Sequence, residues 1–266
     1  MPFLTLPFHR LRYEDTQANK PALIFCHSFG MRAEMFAPQL AEFSPRHRCI
    51  TWDQRGHGES PACHAFTFWD SAKDLLALMD HLGIERAAVA GTSQGGFVAL
   101  RAALLAPSRI TAIAAFGSSA DAEGESTKAA YQPLLQAFKA SSIFDPPQAA
   151  IETMAAVCFG GDFDGAVWKR TWQAWNRDQF ELAFNALIGR DSIADQIGAV
   201  RCPALVMHGT KDVAYALDIG QRIAQKVPNA EFVAVEGGHH FLSITNPDAV
   251  NSALRSFLTR HAQRLN

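Results

Sequence analysis

No stretch of this 266-residue sequence is apolar for long enough to span a bilayer as a helix. Excess charge of one sign is also missing: 24 Lys and Arg stand against 26 Asp and Glu, a formal net charge of −2. With no basic patch, neither nucleic acid nor an anionic membrane surface is an expected partner. Cysteines are few and odd in number, at Cys26, Cys49, Cys63, Cys158 and Cys202, so no disulfide framework is expected. Cys26, Cys49 and Cys202 fall in or beside apolar strand patterns, where a thiol serves as a small hydrophobe. A reducing, cytoplasmic setting fits that usage. Residues 1–14 lack a basic segment followed by a long apolar run, so no signal peptide is expected. No grouping of His, Cys, Asp and Glu has the spacing of a metal site. The glycine-rich run Asp53-Gln54-Arg55-Gly56-His57-Gly58 is not followed by Gly-Lys-Ser/Thr, so it is no phosphate loop; it reads as a turn in which Asp53 and Arg55 satisfy local backbone groups. Asp162-Phe163-Asp164-Gly165 begins like a calcium loop but lacks the later glutamate. No cofactor and no metal are expected, and no internal repeat or low-complexity linker is present.

What is there is strand–helix alternation. Short apolar runs at 22–26, 48–52, 86–90, 110–116, 204–208 and 231–235 read as buried strands, with two shorter antiparallel edge strands at 3–6 and 9–13. Helical patterns lie between them at 34–43, after a Thr67/Asp70 capping box, at 217–227, and from Asn246 as N-cap with Pro247 at the first helical position. Such units imply an α/β fold: a mostly parallel, doubly wound sheet with helices on both faces. From 121 to 195 the strands vanish and Phe- and Trp-rich helical segments take over. The expected division is therefore a core of residues 1–120 and 196–266 with an inserted helical lid at 121–195.

Chemistry is concentrated at Gly91-Thr92-Ser93-Gln94-Gly95, between a buried strand and a helix apolar nearly all round. A strand that reverses sharply into a helix leaves Ser93 at the tip in a strained conformation. Gly91 and Gly95 let the two elements pass closely. The helix start supplies free backbone N–H groups, Gln94 among them, where an oxyanion would need donors. A serine nucleophile needs a base, and the base an orienting acid. Asp212 lies in His208-Gly209-Thr210-Lys211-Asp212, just past a buried strand; Asp218 and Asp195 are weaker alternatives, and a plain turn role for Asp212 competes. The base comes from Gly237-Gly238-His239-His240, after the last strand. His27 reads as a buried, backbone-paired histidine. Trp168, Trp172 and Trp175, with Phe180 and Phe184, form a stripe that packs the lid on the core, or in part roofs a pocket.

His27-Ser28-Phe29-Gly30, the 53–60 run, Gly91-Thr92-Ser93-Gln94-Gly95-Gly96, His208-Gly209-Thr210-Lys211-Asp212 and His240-Phe241-Leu242 together resemble the α/β-hydrolase superfamily over nearly the whole chain. Ser28-Phe29-Gly30 and Met35-Phe36-Ala37-Pro38-Gln39-Leu40 are similar to its 3-oxoadipate enol-lactonase and carboxylesterase branch, although enol-lactonases usually have Asn where this chain has His27. The resemblance implies the order Ser93, Asp212, His, with Phe29 as second backbone oxyanion donor. Its spacing from the base to Pro247 selects His240; His239, directly after Gly238, is the alternative. It also implies a serine hydrolase of carboxylic esters or lactones, working through an acyl-enzyme. The expected partner is a small ester or lactone with an apolar acyl or aryl group, held by Phe29, Trp172 and Trp175. Rival expectations are a C–C hydrolase of ring-cleavage ketoacids, with Lys169 or Arg190 for a substrate carboxylate, and a ligand-binding receptor with negligible turnover.

Overall fold

The computed structural model describes residues 2–139, 148–161 and 163–265. Asp162 of the calcium-like fragment and residues 140–147 of the expected lid lie outside them. Eight strands form one sheet: β1 (Phe3–Thr5), β2 (Arg10–Asp15), β3 (Ala22–Cys26), β4 (Arg48–Trp52), β5 (Ala87–Thr92), β6 (Ile110–Phe116), β7 (Ala204–Gly209) and β8 (Ala230–Val235). Their order is β1-β2-β4-β3-β5-β6-β7-β8. β1 and β2 join antiparallel at one edge, and every pair from β4 to β8 is parallel. The expected doubly wound α/β sheet is therefore the observed one.

Strand periodicity divides the core between the two faces. In β3, Leu23 and Phe25 join one apolar layer while Ile24 and Cys26 join the other. The first layer is covered by α1 (Ala37–Phe43), through Phe43, and by α10 (Pro247–Arg260), through Val250, Leu254 and Phe257. The second is covered by α2 (Phe68–His81), α3 (Gln94–Leu105) and α8 (Leu217–Lys226). Between β6 and β7 the chain forms α4 (Glu125–Lys139), α5 (Gln148–Phe159), α6 (Ala166–Gln173) and α7 (Arg177–Ile188). These bury Ile151, Phe159, Phe180 and Phe184 in the first layer. Two short helices, α9 (Leu242–Thr245) and α11 (Ala262–Leu265), flank α10.

Local signals act as the residue types require, with two corrections. Thr67 and Asp70 form the reciprocal capping box at α2. Asn246 precedes α10 as expected, but its side chain accepts from Thr245 Oγ1 at 2.8 Å and caps no helical N–H. The helix expected over 34–43 is split: a 3₁₀ turn at Ala33–Phe36 precedes α1, whose Pro38 falls where a missing N–H costs nothing. No helix of the described residues is long and apolar enough to cross a membrane.

Candidate active site

Four loops at the carboxyl ends of β3, β5, β7 and β8 converge on one point. The first constraint is at Ser93, whose φ of 53° is strained for a residue with a Cβ. Hydrogen bonds to both backbone groups of Ser93 hold that conformation. Ser93 N–H donates to Phe116 O at 2.8 Å, while Ser93 O accepts from Ser118 Oγ at 2.9 Å and Gly96 N–H at 2.9 Å. Gly95 is needed because a Cβ there would overlap the Cys26 carbonyl.

His240 lies against this serine. Its Nε2 is 2.9 Å from Ser93 Oγ and its Nδ1 is 2.8 Å from Asp212 Oδ2. All three are buried, with Ser93 4%, His240 5% and Asp212 8% exposed, so their mutual bonds are shielded from water. The other oxygen of Asp212 accepts the backbone N–H groups of Ala214 and Tyr215, each at 2.9 Å. Burial alone would raise the Asp212 pKa. The attraction of His240 and hydrogen bonds from His208, His240 and the Tyr215 backbone outweigh it and hold the carboxyl well below its usual range. Asp212 is thus a carboxylate able to fix one imidazole tautomer, with Nδ1–H toward itself and Nε2 open to accept the serine proton.

The alternatives stand elsewhere. The His239 imidazole occupies the space that a side chain on Gly160 would need. Asp218 pairs with Arg222, and Asp195 lies exposed 3.7 Å from Lys226. Gln94 N–H, first in α3, has no intrahelical acceptor. Phe29 N–H donates to no protein acceptor among the described residues. Buried His27 donates from Nδ1 to Ser28 O at 2.7 Å and accepts Gln54 N–H at Nε2, 2.8 Å, a neutral tautomer; burial lowers its pKa to about 4. Asp53 accepts the Ala33 and Glu59 N–H groups, as a turn-former should, whereas Arg55 pairs with Asp74.

Ser93 and His240 open on a cavity of about 210 Å³ whose walls include Phe29, Met154, Val157, Phe184 and Leu187. Trp172 and Trp175 are not in its wall, contrary to the expectation that they contact substrate. Trp172 is fully buried and its Nε1 donates to Gly30 O at 2.8 Å; Trp175 Nε1 donates to Gly56 O at 2.9 Å. They pin the inserted helices to the loops after β3 and β4. Lys169 and Arg190 are also outside the wall, paired with Glu152 and Glu123 at 2.6 Å each.

Tyr215 was not singled out by sequence. Its backbone holds Asp212, its carbonyl accepts His208 Nε2 at 2.9 Å, and its ring meets His240 edge-on at 5.3 Å. The spacing of three residues from Asp212, that of an Asx-type turn, was the available signal.

A family model described as the alpha/beta hydrolase fold matches residues 21–247. The chain belongs to the α/β-hydrolase family. Similar proteins include 3-oxoadipate enol-lactonase 2 of Acinetobacter baylyi, 26% identical over 92% of this chain and 91% of that protein. Another, from the same organism, is (E)-2-((N-methylformamido)methylene)succinate hydrolase, 25% identical over 96% of this chain and 97% of that one. Among solved structures, the enol-lactonase from Burkholderia xenovorans superposes with a TM-score of 0.88 at 25% identity, covering 97% of this chain and all 100% of the other. The resemblance to the α/β-hydrolase superfamily therefore holds, and enol-lactonases are among the proteins this chain is similar to.

Proposed function

We propose that this α/β hydrolase cleaves carboxylic esters or lactones that carry an uncharged apolar acyl or aryl group, through an acyl-enzyme. The observation that carries the reading is the hydrogen-bonded line Asp212–His240–Ser93 ending in an apolar cavity. Ser93 Oγ attacks the carbonyl carbon while His240 Nε2 takes its proton. Asp212 holds the imidazole and stabilises its cation. The negative charge on the former carbonyl oxygen falls to the backbone N–H groups of Phe29 and Gln94. His240 then protonates the leaving alcohol, or the ring oxygen of a lactone. Water, deprotonated by His240, frees the acid and restores Ser93. Residues 121–195 serve as the lid of this site and the remainder as its core. The buried thiols and odd cysteine count favour a cytoplasmic setting.

Two relatives carry names of enzymes acting on lactone or succinate derivatives. In this chain both cations considered for a substrate carboxylate are paired with protein carboxylates. That favours uncharged esters over dicarboxylates and ring-cleavage ketoacids. The test is a panel of p-nitrophenyl acetate and butyrate, lactones and ring-cleavage diketones, compared by kcat/KM, with a fluorophosphonate probe. Ser93→Ala is expected to fold and lose about a thousand-fold or more in kcat, and the probe to label Ser93. Labelling of another serine, or an active alanine variant, overturns the mechanism. No turnover of any ester favours a receptor.

A further inference from the structure

A second buried polar cluster lies behind the triad. Arg190, just beyond α7, and Glu123, just before α4, are 6% and 8% exposed and form an ion pair of 2.6 Å. They are the two ends of the inserted helical segment. Arg190 also donates to Asp121 O and Leu187 O, at 3.0 and 3.1 Å. Its guanidinium lies 4.6 Å from the Phe97 ring centroid and 5.5 Å from that of Tyr215. Glu123 accepts the Tyr215 hydroxyl at 3.5 Å through the oxygen that takes Arg190. Tyr215 in turn touches Asp212, His208 and His240.

We infer that Glu123, Arg190 and Tyr215 are positioning residues that couple the ends of the inserted helices to the acid and base of the triad. The inference rests on the hydrolase reading of the site. An ion pair this buried is poor value for stability alone, since apolar residues of equal volume hold a core as well or better. Its geometry serves a different end. Tyr215 contributes one of the two N–H groups that fix one oxygen of Asp212, and its ring edge limits rotation of His240. The polar anchor of that ring is Glu123, with the Arg190 guanidinium over its face and the Phe97 ring beside it. A shift at the ends of the inserted segment therefore reaches Asp212 and His240 through Tyr215, beside the separate contact in which Phe241 N–H donates to Cys158 O of α5 at 2.9 Å.

The test uses the full chain and two readouts. The first is kcat and KM for p-nitrophenyl butyrate. The second is the titration of His240 followed by NMR of labelled histidine, which needs no turnover. Groups around His240 that bear on its titration are Ser93, Asp212 and Tyr215, with His208 beyond Asp212, and Cys158 and Tyr131 across the cavity. Tyr215→Phe keeps the ring and the backbone and removes the link to Glu123. Glu123→Gln keeps an acceptor and removes the charge. Each is expected to lower kcat roughly three- to ten-fold with KM within about two-fold, and to lower the His240 titration midpoint by about half a unit as the carboxylate is held less well. Because both act through one contact, the double variant is expected to fall short of the product of the singles. Unchanged kcat and His240 titration with a reduced Tm overturns the inference and leaves the hydrolase reading intact. So does a double variant whose effects simply multiply. A parent that turns over no ester overturns the hydrolase reading instead; the histidine titration then still decides whether the cluster is coupled to His240.

Discussion

At the scale of single residues, the decisive contrast is between two adjacent imidazoles. His240 bridges Asp212 and Ser93, whereas His239 lies over Gly160. Geometry selects a base before its basicity does. His240→Ala is expected to lose about a thousand-fold or more in kcat, while His239→Ala keeps most of the turnover and changes KM or Tm. Steady-state kinetics of the two variants decide it; a dead His239 variant beside an active His240 variant reverses the assignment. The proposed nucleophile is legible because strand, strained turn and helix all leave local marks: Gly91, Gly95 and an apolar helix. The histidine was legible only to within one position, since a loop carries no periodicity that says which way a side chain projects. The partners of Arg190 were not legible. Its charge suggests a cation for substrate, but its carboxylate is Glu123, 67 residues earlier in the chain.

At the scale of elements, tryptophan N–H groups tie the inserted helices to the loops of the sheet. Trp172 and Trp175 reach carbonyls 142 and 119 residues away in sequence. The aromatic stripe at helical spacing predicted packing; it could not show which rings face the cavity, because that depends on loops from the opposite end of the chain. The two bonds have different consequences. Gly30 directly follows Phe29, the residue proposed to donate to the oxyanion, whereas Gly56 sits in the turn after β4. Trp172→Phe leaves the Gly30 carbonyl buried without its donor, a cost of about 1–3 kcal/mol, and frees the loop that aims the Phe29 N–H. We expect a lower Tm together with a roughly three- to ten-fold fall in kcat and a smaller change in KM. Trp175→Phe should lower Tm similarly while kcat stays within about two-fold of the parent. Thermal melts and ester kinetics on both variants check this, and equal losses of kcat would show that Gly30 has no special role.

At the scale of the whole molecule, the elements that carry the site also make the fold sensitive to acid. His27 is fully buried and needs a neutral ring, because Nδ1–H donates to Ser28 O while Nε2 accepts Gln54 N–H. Burial lowers its pKa from the ordinary value near 6.5 to about 4. His57, 5.0 Å away ring to ring, is buried too; burial first and then the proximity of His27 push its pKa well below the ordinary value. The unfolded chain binds both protons once the pH falls below about 6.5, while the folded chain refuses them until about pH 4 for His27. Fewer protons on the folded state means that stability rises with pH across this window and is lost as pH drops, at roughly 1.4 kcal/mol per pH unit for each histidine. Carboxylates such as Asp15, where burial opposes but Arg48 and the Gln17 N–H prevail, sit below their ordinary range and withdraw their contribution only at lower pH. Asp53, raised by burial, works the other way, but as one group against three histidines, since burial also lowers the pKa of His47. Tm is therefore expected to be level from about pH 7 to 8 and to fall steeply from about 6 to 5. His27→Asn retains a donor and an acceptor and removes one proton from the balance. It should be less stable than the parent at neutral pH, yet lose less on acidification. Parallel Tm curves for parent and variant across that window would place the acid sensitivity elsewhere.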